Sequence, residues 1–382
     1  MDFDSLLKLM VHKKGSDVFI AVDASPSMKV NGRIVPVTQT KLTADQAHQI
    51  VTGIMTDRQR AEFEDTHECN FAISRKGIGR FRVSAFMQRN NVGMVLRRIE
   101  TKIPTAEELR LPETIKDLAM TKRGLILFVG ATGSGKSTSL AAMIGYRNKH
   151  GNGHIITIED PIEFVHEHEN CIITQREVGI DTESFEIALK NTLRQAPDVI
   201  LLGEIRARET MEQAIVFAET GHLCMGTLHA NNANQALDRI VNFFPEDRRE
   251  QLLMDLSLNL KSIIAQQLIP TPDGSGRRAA IEILINSPLI SDLIKEGEVH
   301  EIKEIIKKSR EEGMQTFDQA LYDLYKTEEI TYEDAIIHAD SPNDLRLMIK
   351  LGDPDMMDTL GESMDGISLQ DDKEDESSKI AF

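Results

Sequence analysis

At 382 residues, with 41% hydrophobic and 27% charged residues, the chain has an ordinary globular composition and room for about two or three domains, each burying a core. Its formal net charge of −17 argues against a dedicated nucleic-acid binder, because phosphate backbones demand a positive surface. No window approaches about 18 uninterrupted apolar residues, so a membrane-spanning helix is not expected. The start, Met1-Asp2-Phe3-Asp4-Ser5, is acidic and unlike a secretory signal. Cys69, Cys171 and Cys224 match neither a disulfide framework nor paired zinc spacing; reduced, buried thiols and a cytoplasmic location are expected.

Residues 1–100 alternate short strand-like and helix-like pieces. Asp17–Val22 reads as a strand, Ser25-Pro26-Ser27 as a turn, and Asn31-Gly32 as a hairpin signal. A helix is predicted over Thr43–Ile54, capped by Thr43, with Ala47, Ile50, Val51 and Ile54 on its apolar face. Gly79–Phe86 alternates polar and apolar residues as a half-buried strand does, and Val92–Ile99 can pair with it. Together these predict a small α+β domain. Residues 101–112, with Pro104 and Pro112, read as a linker.

From residue 113 to 352 the pattern is that of a mostly parallel α/β sheet. Leu125–Val129 is an apolar strand, followed by Gly130-Ala131-Thr132-Gly133-Ser134-Gly135-Lys136-Ser137, which fits G-x-x-x-x-G-K-[ST] at every fixed position. The glycines let backbone N–H groups turn toward phosphate oxygens, and the helix expected from Thr138 adds partial positive charge at its start. Lys136 is expected to reach the β/γ-phosphates and Ser137 to ligate Mg²⁺, so the chain is expected to bind ATP or GTP. The plain alternative is a glycine-rich turn without nucleotide.

Three more apolar runs end in polar groups. His154–Ile158 leads to Glu159-Asp160-Pro161, Asp198–Leu202 to Gly203-Glu204, and Leu223–Thr227 to Leu228-His229-Ala230. In open α/β sheets ligands sit at that edge. Nucleotide hydrolysis needs Mg²⁺ near the γ-phosphate, a group that orients water, and a cation for the developing charge. Glu163, beside Glu159 and Asp160, is assigned the water-positioning role, and Glu204 the Mg²⁺ shell. His222 and His229 flank one strand and are assigned functional roles. Residues 235–350 read mostly as helices, interrupted at Pro270–Gly276. From Asp353 onward, ten acidic residues face Lys373 and Lys379 for a net −8, which reads as a disordered acidic tail. Met356, Met357 and Leu360 offer a short recognition helix within it as an alternative.

Ile158-Glu159-Asp160-Pro161-Ile162-Glu163 resembles the Asp box of the secretion and pilus motor ATPases. Gly203-Glu204-Ile205-Arg206 resembles their Walker B, and Thr220-Gly221-His222 through Thr227-Leu228-His229-Ala230 their His box. With the P-loop, these four motifs stand in the family's order over about residues 1–350. The resemblance is strongest to the PilT/PilU group, which powers type IV pilus retraction.

It implies a PAS-like N-terminal domain, a RecA-like ATPase domain and a hexameric ring with nucleotide between the two domains. Catalytic roles are implied for Lys136, Glu163, Glu204 and His229, with nucleotide contact at Thr138 and His222. Arg80-Phe81-Arg82 and Arg97-Arg98 match the places of the family's N-terminal arginines, and Arg82 and Arg97 are assigned. A solvated basic patch is the plain reading of these arginines. The implied partners are a PilT-type motor and an inner-membrane pilus platform protein, with membrane association through the platform only and no nucleic acid.

Assembly-type motors often carry a longer N-terminal region and a four-cysteine zinc site, which this sequence lacks; the resemblance therefore favours retraction. Three departures point to the accessory, PilU-like branch: Ala196 where many relatives carry Asp, Arg206-Ala207-Arg208-Glu209-Thr210 where Arg-Asp-x-Glu-Thr is usual, and Leu289-Ile290-Ser291-Asp292-Leu293-Ile294-Lys295-Glu296 in place of the PilT-typical A-I-R-N-L-I-R-E run. The rival readings are a nucleotide-switched coupling ring and, more distantly, a nucleic-acid translocase.

Overall fold

The computed structural model describes residues 2–30, 32–99 and 102–352. A helix over Phe3–His12 precedes strands β1 (Asp17–Ile20), β2 (Ser27–Val30) and β3 (Arg33–Pro36). Helices Ala44–Thr52 and Asp57–Thr66 lead into β4 (Glu68–Arg75), β5 (Gly79–Gln88) and β6 (Asn91–Ile99). The six strands form an antiparallel sheet in the order β3-β2-β1-β6-β5-β4.

The expected cap is present: Thr43 accepts the Gln46 N–H while the Gln46 side chain accepts the Thr43 N–H, a reciprocal pair that satisfies two otherwise orphaned donors. Ala47 and Val51 of that helix pack with Leu7 and Met10 onto Val18, Phe81, Val83 and Leu96, the core of this domain. The predicted first strand is shorter than expected; it ends at Ile20, and Val22 forms an isolated bridge to Leu42. Ser27, expected in a turn, opens β2. The hairpin signal holds, with Gly32 at φ 79 between β2 and β3.

The second sheet contains β7 (Gly124–Val129), β8 (Gly153–Glu159), β9 (Cys171–Glu177), β10 (Val199–Leu202), β11 (Leu223–Leu228), β12 (Leu260–Pro270) and β13 (Arg277–Ile285). Its order is β13-β12-β7-β11-β10-β8-β9, parallel throughout except between β12 and β13. Along β7, Leu125, Leu127 and Val129 enter one core while Ile126 and Phe128 enter the other. Helices therefore cover both faces of the sheet, as continuous apolar strands require.

One expectation is corrected here. Residues 235–350 are mostly helical, as expected, but the interruption is longer than Pro270–Gly276, because β12 and β13 form a long antiparallel pair and Pro270–Gly276 is its turn. In the predicted linker, Ala106 and Leu111 are buried in the core beneath this sheet. Cys69, Cys171 and Cys224 are free and buried. Among the described residues no helix is long and apolar enough to cross a membrane. The acidic segment 353–382, with Met356, Met357 and Leu360, lies outside the described residues.

Candidate nucleotide site

β7 delivers the chain into the P-loop, and the helix Lys136–His150 starts directly after it. Gly130 and Gly135 have φ of 154 and 86. A Cβ on Gly130 would stand 2.5 Å from Ser134 Oγ, and one on Gly135 2.7 Å from Gln266 Nε2, so this tight loop needs glycine at both positions. Lys136 Nζ donates to the carbonyls of Gly130 and Ala131 at 2.8 and 2.9 Å. Burial lowers its pKa from the ordinary value, opposed by the charges of Glu204 and Glu163.

A cleft of about 310 Å³ opens between Thr132, Gly133, Lys136 and Ser137 on one side and the tips of β8, β10 and β11 on the other. Glu159, Asp160, Glu163, Arg206 and His229 also line it, together with Glu204. At the β10 tip, Thr227 Oγ1 donates to the Gly203 carbonyl at 2.5 Å and the Ile205 N–H donates to the Thr227 carbonyl at 2.8 Å. That pins the turn carrying Glu204. The Glu204 carboxylate meets Arg206 Nη2 at 2.6 Å and His229 Nε2 at 3.0 Å. Burial opposes its charge, but Arg206, His229 and Lys136 outweigh that and hold Glu204 below its ordinary pKa. It is therefore ionised at neutral pH.

Glu159 behaves differently. Burial raises its pKa despite hydrogen bonds donated by Thr157 Oγ1 at 2.6 Å and Gln175 Nε2 at 3.2 Å. The Glu163 N–H also donates to it, so Glu159 braces the loop that carries Glu163. Glu163 is exposed at the cleft wall. His166, also on the wall, is pushed down to about 4 by burial and stays neutral.

The remaining assigned residues do not all converge. Gly130, Ala131 and Ser134 line an adjoining cleft on the other side of the loop, with Gln266. Thr138 sits in the first turn of the helix without lining either cleft. His222 is a correction to the expected pair: Leu223 lies beside Gly124 and Leu228 beside Val129, so the two histidines occupy opposite sheet edges, roughly 20 Å apart along the strand. His222 instead contacts Thr220 Oγ1 at 3.1 Å and the Phe217 carbonyl at 3.2 Å.

Arg82 and Arg97 are cross-strand partners in β5 and β6 and do not line the cleft. Arg97 Nε donates to Asp17 Oδ1 at 2.9 Å, leaving its side chain 71% exposed. Sequence reasoning also missed Gln266. Its Oε1 accepts from Ser139 at 2.8 Å and its Nε2 donates to the Ser134 carbonyl at 2.9 Å, clamping the P-loop to β12. The signal was an amide inside an otherwise apolar run.

The donor set fits phosphate: a half-buried amine, a long helix N-terminus, and a buried Ser134 Oγ with no hydrogen-bond partner. Ser137 and Glu204, both on the cleft wall, are the hydroxyl and carboxylate that Mg²⁺ takes when phosphates and waters complete its shell.

A mostly parallel sheet with a P-loop at its edge, faced by carboxylates from neighbouring strand tips, defines a RecA-like P-loop ATPase domain, here behind a PAS-like α+β domain. The chain belongs to the type II/IV secretion system protein family, whose family model matches residues 3–331. Within that family it falls in the PilT/PilU group of type IV pilus ATPases. It is 68% identical to the Type IV pilus ATPase PilU of Pseudomonas aeruginosa, over 97% of each chain. To the same organism's Type IV pilus retractation ATPase PilT it is 42% identical, over 88% of this chain and 97% of that one. A crystal structure of the pilus retraction motor PilT with bound ADP matches with TM-score 0.86 at 40% identity, covering 91% of this chain and 100% of that one. The difference between the two identities puts the chain on the PilU side of the group.

Proposed function

We propose that the chain hydrolyses ATP in a homo-hexameric ring that powers or assists type IV pilus retraction and twitching motility, as an accessory beside a PilT-type motor. The ring would act at the inner face of the cytoplasmic membrane, reaching it through the pilus platform protein. The observation carrying this reading is Glu204, held ionised by Arg206 and His229 opposite Lys136 in one cleft.

Lys136 would release the two loop carbonyls to bind the β/γ-phosphates, and Glu163 would orient and deprotonate the attacking water. Ser137 and Glu204 would hold Mg²⁺, which supplies charge neutralisation on the phosphate oxygens. Arg82 and Arg97 lie outside the cleft within one chain, which supports a ring in which domain rotation or a neighbouring subunit brings an arginine to the developing charge. A coupling ring with nucleotide as its switch is the second reading. The same motifs serve both readings, and whether the chain turns over ATP by itself separates them.

The test is steady-state ATP turnover with Mg²⁺, for the chain alone and mixed with its cognate PilT-type partner, with Glu163→Gln alongside. Turnover alone, lost in the variant, supports an autonomous motor. Activity gained over the partner's own only in the mixture supports the accessory role, and no contribution in either condition refutes hydrolysis by this chain.

A further inference from the structure

A carboxylate removed from water needs partners that favour its charge. Glu177, the last residue of β9, has a side chain only 5% exposed and does not line the cleft. Its backbone is fixed: its N–H donates to Asp181 Oδ2 at 2.9 Å, and its carbonyl accepts the Asp181 N–H at 2.8 Å. Its side chain, by contrast, joins two separate parts of the molecule. Oε2 accepts the Ile162 N–H at 3.3 Å and meets Arg80 Nη2 at 3.4 Å.

Ile162 directly precedes Glu163, and its buried side chain anchors that loop in the protein. Arg80 belongs to β5 of the N-terminal sheet, opposite Ile99. Its Nε is buried without a hydrogen-bond partner, so its guanidinium is held by the Glu177 contact rather than by a saturated network. Burial raises the pKa of Glu177, opposed by the Ile162 N–H, Arg80 and Arg82, while Asp181 adds to the rise. The carboxylate depends on both of its partners.

We infer that Glu177 is a positioning residue that ties the orientation of the N-terminal domain, through Arg80, to the backbone that carries Glu163. When β5 turns away from β9, Glu177 loses its cation and its hold on the Ile162 N–H changes. The water-positioning carboxylate then leaves its place, and hydrolysis proceeds only in one relative orientation of the two domains. The inference rests on the assignment of Glu163 proposed above.

The experiment uses the full chain and the variants Arg80→Gln, Glu177→Gln, their double mutant and Arg80→Lys. Hydrogen exchange of residues 160–164 is expected to quicken about tenfold in Arg80→Gln, although that substitution lies in the other domain. Exchange in β7 and β11 should not change. The double variant should exchange no faster than Glu177→Gln, and Arg80→Lys should restore most of the protection.

Turnover, read under whichever condition supports it in the wild type, should fall about tenfold in kcat with KM for ATP unchanged, because the P-loop is untouched. Unchanged exchange at 160–164 in Arg80→Gln overturns the inference, as does faster exchange with unchanged kcat. Where the wild type shows no turnover, the exchange result alone decides. Glu163→Gln separates the two levels. Persisting activity in that variant refutes the Glu163 assignment, whereas its loss beside a wild-type-like Arg80→Gln refutes only the tie.

Discussion

The two sheets of this molecule put their chemistry in different places. In the N-terminal sheet one face is covered: along β5, Phe81, Val83 and Ala85 point into the core while Arg80, Arg82 and Ser84 lie on the other side. In the ATPase sheet both faces are covered, and every residue of β7, β10 and β11 is buried. A one-sided sheet can carry arginines in mid-strand. In the doubly covered sheet the polar groups of the cleft, Glu159, Glu204 and His229, stand at the strand tips, while mid-strand Gln266 is buried and held by Ser134 and Ser139. The nucleotide-site candidates therefore lie at an edge, and the N-terminal arginines on a face.

The largest effect that would break this division is at the edge. Lys136→Ala should reduce phosphate release at saturating ATP by on the order of 10³-fold or more, and undiminished turnover would remove the chemistry from the strand tips. Loss of a face residue should cost less: Arg82→Gln is expected to lower kcat by about 10²-fold while retaining nucleotide binding, measured with a fluorescent ATP analogue. An unchanged kcat would leave Arg82 as a solvated basic residue.

The two cores can be separated by stability. Phe128→Ala and Phe81→Ala should each cost about 3–5 kcal/mol in their own sheet. Calorimetry should show a different transition shifted by each, and a single shared shift would mean that the two sheets melt as one unit.

The smallest effect is pH-dependent. Glu282 is buried within β13 of the ATPase sheet and accepts the Ala233 N–H at 2.8 Å. Burial and the charge of Asp340 push it up to about 7, partly offset by the Ala233 N–H, Lys303 and the Phe317 N–H. Nearby, Asp318 is raised to about 6 by burial and by Asp340. Because the folded-state pKa of Glu282 lies above its ordinary 4.5, its contribution to stability is complete below that value and is lost as pH rises through about 7. Glu282→Gln keeps an acceptor for Ala233 without the charge. It should match the wild type at low pH and melt a few degrees higher at pH 8, while a parallel pH profile for both proteins would contradict this account.

Motifs fixed by local covalent pattern were legible in the sequence. The P-loop, the carboxylates at the ends of apolar runs and the Thr43 cap all depend on neighbours a few residues away. β12 was not legible, because Leu260, Ile263, Ile264 and Leu268 repeat at helical spacing and the strand, covered on both faces, shows no alternation. With β12 went Gln266, whose role depends on a loop 132 residues away in sequence. His222 was misplaced for a related reason. A six-residue strand between two histidines puts them at opposite edges, whereas proximity in sequence had suggested one site. Glu177 could not be found at all from sequence, since its importance comes from Arg80, 97 residues away.

The burial of the three cysteines has a practical use in following this motor. The thiolate is the form that reacts with maleimides, and burial pushes the thiols of Cys69, Cys171 and Cys224 upward, Cys69 to about 11. Native labelling should therefore be slow without replacing any of them. Lys76 in the β4–β5 turn and Ser275 in the β12–β13 turn are both exposed, one in each sheet. Lys76→Cys and Ser275→Cys would place a donor and an acceptor dye across the two domains of an otherwise wild-type protein, so any change in the distance between them during ATP turnover can be read by fluorescence.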